Sequence, residues 1–149
     1  MSQARTVLLV DDDEDAIMLA ERAFELVKTP CGLATASSGD EAIRYLNGIA
    51  HGVAGAMALP AVMVLDLKMP GRSGFEVLEW IRSQPSLASM PVVVMTSSDS
   101  DSDVARAMTL GANSYLVKPI HLPQLEDMIS LLVTYWVKLN LQPELLRTA

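Results

Sequence analysis

The chain has 149 residues, half of them apolar and 19% charged, which fits one folded domain and excludes disorder as its main state. Eleven Lys and Arg stand against 18 Asp and Glu, a net charge of -7, so nucleic-acid phosphates would be repelled. The single cysteine, Cys31, excludes an internal disulfide and a zinc site built mainly from thiolates.

The first apolar run, 7–10, is short and Val-rich, and runs straight into Asp11, Asp12 and Asp13. It is too short for a signal peptide, so a cytoplasmic location is expected. Ile17, Ala20, Phe24 and Val27 recur at helical spacing and form one apolar face. Cys31 then precedes a second run, 33–36, and reads as a small buried filler. Ser38 with Glu41 predicts a capping box opening a helix anchored by Ile43 and Leu46. The Gly- and Ala-rich stretch 47–60 predicts a long surface connection with some helix in it. The longest apolar run, 52–65, is broken by Pro60 and is shorter than the ~20 residues of a membrane span.

A third strand-like run, 62–65, ends at Asp66. Ser73 with Glu76 predicts the next capping box, before a helix carrying Leu78 and Ile81. A fourth run, 92–95, leads into Thr96 and Ser97. Ser98, with Asp99, Asp101 and Asp103, puts negative charge at the start of a helix that bears Val104, Ala107 and Met108, with Gly111 as its stop. A fifth run, 115–117, precedes Lys118 and Pro119. Pro123 suits the first turn of a last helix with Leu125, Met128, Ile129, Leu132, Val133 and Trp136 on its stripe. Non-alternating, Val-rich strands suit a parallel sheet covered on both faces. Five strands alternating with five helices predict a doubly wound α/β domain with right-handed crossovers.

In such a sheet, sites form outside the carboxyl ends of the strands. Asp11, Asp12, Asp66, Thr96 and Lys118 all follow strand ends and converge there. Asp13 reads as the cap of the helix that follows it. Clustered carboxylates repel one another, and a hard divalent cation such as Mg²⁺, which takes oxygen ligands, relieves this. An Asp beside a metal and an ammonium can act as a nucleophile toward a phosphoryl group. His51 and His121 are not convincing ligands.

The segments VLLVDDD, VLDLKMPGRSGFEVL, VVVMTS and NSYLVKP, in that order, resemble the receiver domain of two-component response regulators, over roughly 6–133. The resemblance implies a flavodoxin-like (βα)5 fold with a five-stranded parallel sheet in the order 2-1-3-4-5. It implies Asp66 as the phosphoacceptor, carrying a 4-aspartylphosphate. It implies Asp12 as a direct Mg²⁺ ligand, Asp11 acting through the metal's water shell, and the Lys68 backbone carbonyl completing the site with Asp66. Lys118 would pair with Asp66 or its phosphoryl group, Thr96 would move to that group, and Tyr115 would turn inward with it. Lys68 and Ser98 match positions that tune hydrolysis. The implied partner is a sensor histidine kinase or a phosphotransfer protein, and the protein would catalyse only its own phosphorylation and dephosphorylation. Two alternatives stand beside this: a haloacid-dehalogenase-like Mg²⁺-dependent phosphatase, and a receiver that is never phosphorylated.

The receiver is expected over 1–137, with 138–149 an extension too short for a separate DNA-binding output domain. Past the domain, Leu132, Trp136 and Leu139 continue the last helix's stripe, with Tyr135, Val137 and Leu141 nearby. Apolar residues thus nearly encircle the helix. This late tryptophan is similar to that of small regulators serving cyanobacterial and other bacterial phytochromes. A homodimer through the fourth helix, fifth strand and fifth helix is expected, with Tyr135, Trp136 and Leu139 in contact. The competing expectation is a tail folded back on its own domain.

Overall fold

The computed structural model of the chain describes residues 5–27, 31–50 and 59–141. In them, strands β1 (Thr6–Val10), β2 (Gly32–Ala36), β3 (Val62–Leu65), β4 (Val92–Thr96) and β5 (Ser114–Val117) alternate with helices α1 (Glu14–Val27), α2 (Gly39–Ala50), α3 (Gly74–Ser83), α4 (Asp101–Thr109) and α5 (Leu122–Val133). The strands pair in parallel in the order β2-β1-β3-β4-β5, with Val10 beside both Ala36 and Leu65. This is the flavodoxin-like order, as expected. Residues 51–58 of the connection after α2, His51 among them, lie outside the described residues, as do 142–149 of the extension.

Successive side chains on a strand point to opposite faces, and here each face has its own core. Leu8, Val10, Met63, Leu65, Val92 and Val94 pack with α2, α3 and α4 through Leu46, Phe75, Leu78, Ile81 and Ala107. Val7, Leu9, Val62, Val64, Val93 and Met95 pack with α1 and α5 through Ala20, Phe24, Leu125, Ile129 and Leu132. The central strands β3 and β4 are therefore buried throughout, while the edge strands β2 and β5 are only partly covered. Met108, expected on the inner face of its helix, is exposed, and Ala107 alone of α4 is buried. Cys31 is partly buried against the second core.

Two helix starts differ in detail from their expected caps. Ser73 and Glu76 form the full capping box. Ser38 Oγ accepts from the Glu41 amide, but the Glu41 carboxylate takes the Ser37 hydroxyl instead of reaching back. Ser100, not Ser98, caps α4, because Ser98 turns its hydroxyl onto Asp103. Gly111 ends α4 at φ +106, where any Cβ would also strike the Arg82 side chain. After α5 the chain continues as a π-helix, Thr134–Leu139. Trp136 and Val137 of that segment pack against the second core, while Leu131, Tyr135 and Leu139 are exposed.

Candidate functional site

Among the described residues only three polar or charged side chains are buried, and all stand at the carboxyl edge of the sheet: Asp11, Asp66 and Thr96. Asp11 follows β1, Asp66 follows β3 and Thr96 ends β4. These three strands are neighbours in the sheet, so parallel pairing sets their ends side by side. Lys118, one residue past β5, is fixed by its amide donating to the Thr96 carbonyl at 2.7 Å. Its ammonium then reaches back to Asp11 Oδ2 at 2.6 Å and Asp66 Oδ2 at 3.3 Å.

The loop after β3 is shaped by a close approach. A Cβ on Gly74 would lie 2.1 Å from the Asp66 carbonyl oxygen and 2.7 Å from the Leu67 Cα. Only glycine lets the first residue of α3 rest against the main chain of Asp66. Asp13 caps α1 through its carboxylate, as expected, and donates its own amide to Asp11 Oδ1 at 3.0 Å.

The charges are unbalanced. Carboxylate oxygens of Asp11, Asp12 and Asp66 lie within 4.8 Å of one another. The only described ion-pair partner of Asp11 or Asp66 is Lys118. Burial raises the Asp11 carboxyl above the ordinary aspartate value, against the lowering pull of Lys118. Burial alone would depress the Lys118 ammonium, but the neighbouring carboxylates, Asp11 first, outweigh it and raise that ammonium. Oxygen-only donors with surplus negative charge, half buried and half facing water, fit a hard divalent cation. The residues therefore suit the expected Mg²⁺, with Asp12 the exposed member.

Thr96, Tyr115 and Lys68 lie on the other flank. Thr96 Oγ1 is fully buried with no hydrogen-bond partner among the described residues. Tyr115 donates its hydroxyl to the Ser98 carbonyl at 2.9 Å. Lys68, two residues beyond Asp66, extends to Asp103 Oδ2 at 3.2 Å, and the same oxygen accepts from Ser98 Oγ at 2.7 Å. Asp103 was legible only as negative charge at a helix start, because Lys68 reaches it through tertiary folding. Trp136 packs partly buried against the protein's own core with the Tyr135 ring edge-on at 4.8 Å, while Tyr135 and Leu139 face solvent. No described helix is long and apolar enough to cross a membrane.

Comparison with known proteins agrees with this geometry. The sequence pattern of the response regulator receiver domain matches residues 7–130. The chain is 36% identical over 137 residues to the probable methanogenesis regulatory protein FilR2 of Methanothrix harundinacea, covering 92% of this chain and 86% of that one. Two further curated relatives are longer, and the chain spans 62% and 44% of them. Among solved structures, the phosphorylated cyanobacterial phytochrome response regulator RcpA superposes with a TM-score of 0.84 at 30% identity, covering 95% of this chain and 99% of that one. The Mn²⁺-bound form of response regulator Rcp1, a protein known from Synechocystis, superposes at 0.80 with 29% identity, covering 93% and 99%.

Proposed function

The chain belongs to the response regulator receiver family, and from that premise we propose that it accepts a phosphoryl group on Asp66 from the phosphohistidine of a sensor histidine kinase or phosphotransfer protein. The observation that carries this reading is the burial of Asp66 beside Asp11 and Lys118 at the sheet edge, with the orphaned Thr96 hydroxyl on the flank. A carboxylate oxygen of Asp66 attacks phosphorus in line. The new P–O bond forms as the P–N bond breaks, and the imidazole leaves with its electron pair. Lys118 neutralises charge on the transferred oxygens and afterwards pairs with the acyl phosphate. Asp12, Asp11, Asp66 and the Lys68 carbonyl are the residues that would hold Mg²⁺, which when bound supplies positive charge to the phosphoryl oxygens. The added dianion offers the Thr96 hydroxyl the partner it lacks, and Thr96 moving toward it frees space for Tyr115.

The similarity to RcpA, a cyanobacterial phytochrome response regulator, and to the bacteriophytochrome response regulators RtBRR and AtBRR supports a phytochrome-type kinase as the donor. The exposed Leu131, Tyr135 and Leu139, recurring every fourth residue, support a homodimer through this end of the molecule. An acyl phosphate made with acetyl phosphate and Mg²⁺ tests the central claim by intact mass. Wild type gains one phosphoryl group, and Asp66→Asn or removal of Mg²⁺ with EDTA abolishes the gain. Equal labelling of Asp66→Asn overturns the assignment.

A further inference from the structure

A carboxylate outside the acidic cluster ties together the two loops that flank Asp66. Asp103, in the first turn of α4, accepts the Ser98 hydroxyl and the Lys68 ammonium on the same oxygen, at 2.7 and 3.2 Å. Ser98 lies two residues past Thr96 and Lys68 two residues past Asp66. The Ser98 main chain is held from the other side by Tyr115. Lys68 therefore spends its charge on α4, and Asp66 is served by Lys118 alone among the described cations. The Lys68 side chain is 59% exposed and borders an open groove of about 470 Å³ with Phe75 and Arg106, where its ammonium stands 5.8 Å from the Phe75 ring centre, so it is lightly held.

We propose that Asp103 is a positioning residue that competes with the phosphoryl group on Asp66 for the Lys68 ammonium. The inference rests on Asp66 as the phosphoacceptor. A tetrahedral dianion on Asp66 carries more charge than one carboxylate, and a mobile ammonium redistributes toward it. When Lys68 leaves, Asp103 keeps the Ser98 hydroxyl and the nearby charge of Arg106, and the tie between the β3–α3 loop and α4 loosens. Each anion then weakens the hold of the other on the same cation, a reciprocal coupling. Because the Lys68 end of the pair is solvent-exposed, its effect is small but measurable.

Fluoroberyllate, a tetrahedral anion that needs no covalent turnover, tests this by calorimetry at saturating Mg²⁺. Asp103→Asn binds it about two- to fivefold more tightly than wild type, the range an exposed ion pair supplies. Lys68→Met binds it more weakly than wild type, and the double variant matches Lys68→Met. Asp103→Glu, which keeps the charge, stays close to wild type. A merely structural Asp103 would weaken binding on substitution, not strengthen it. Unchanged or weaker binding by Asp103→Asn, or a gain that survives without Lys68, overturns the proposal. Failure of wild type to bind fluoroberyllate while Asp66→Asn behaves identically overturns the phosphoacceptor reading itself.

Discussion

Thr96 is the residue whose chemistry is least at rest. A buried hydroxyl without a partner costs about 1–3 kcal/mol. Valine nearly matches its shape and removes the orphaned group. Thr96→Val is therefore expected to raise stability by about 1 kcal/mol, read as a higher urea midpoint with an unchanged m-value. The same variant loses the phosphoryl-dependent response, because the added group finds no hydroxyl to draw. Destabilisation by more than about 1 kcal/mol would mean that the hydroxyl is satisfied after all. At this scale Asp11, Asp66, Thr96 and Lys118 were readable in sequence because each ends or follows an apolar run, and parallel pairing gathers such ends. Asp103 was not, since Lys68 meets it only through tertiary packing. Trp136 was read as a contact for a second copy; it is partly buried against the core under α1 and α5.

Among the elements, α3 is the one most tightly bound to the site. Gly74 leaves no room for a methyl group between its helix and the Asp66 main chain. Gly74→Ala is expected to cost several kcal/mol, roughly 2–4, since the contact is with backbone, which cannot swing aside. Thermal unfolding measures the loss, and a cost below about 1 kcal/mol would show that the loop gives way. Capping explains where the element reading fell short. Serines at 98 and 100 both precede α4, and local pattern cannot say which hydroxyl turns to the helix and which to Asp103. The glutamate at 41 likewise found a nearer donor in Ser37. Met108 fits a helical stripe, yet α4 buries only Ala107, because its neighbour β5 is an edge strand with little cover to offer.

Across the whole molecule, the two-sided core was legible because uninterrupted Val-rich runs need cover on both faces, and helix stripes supply it. What becomes of the far end of α5 was not legible, since an apolar stripe reads alike whether its own chain or a second copy covers it. The structure divides the stripe: Trp136 and Val137 turn inward, while Leu131, Tyr135 and Leu139 stay in water. Leu139→Asp, with Tyr135→Ser, is expected to convert a wild-type dimer to monomer in analytical ultracentrifugation without lowering thermal stability. A monomeric wild type would refute the dimer. Asp66 is mounted unevenly. On the α3 flank it rests on an abutment of backbone against backbone; on the α4 flank the links run through side chains, the Lys68–Asp103 ion pair and Arg106 over the Phe75 ring. A charge added at Asp66 is therefore expected to displace α4 and the rim beside it before α3, which backbone contact anchors.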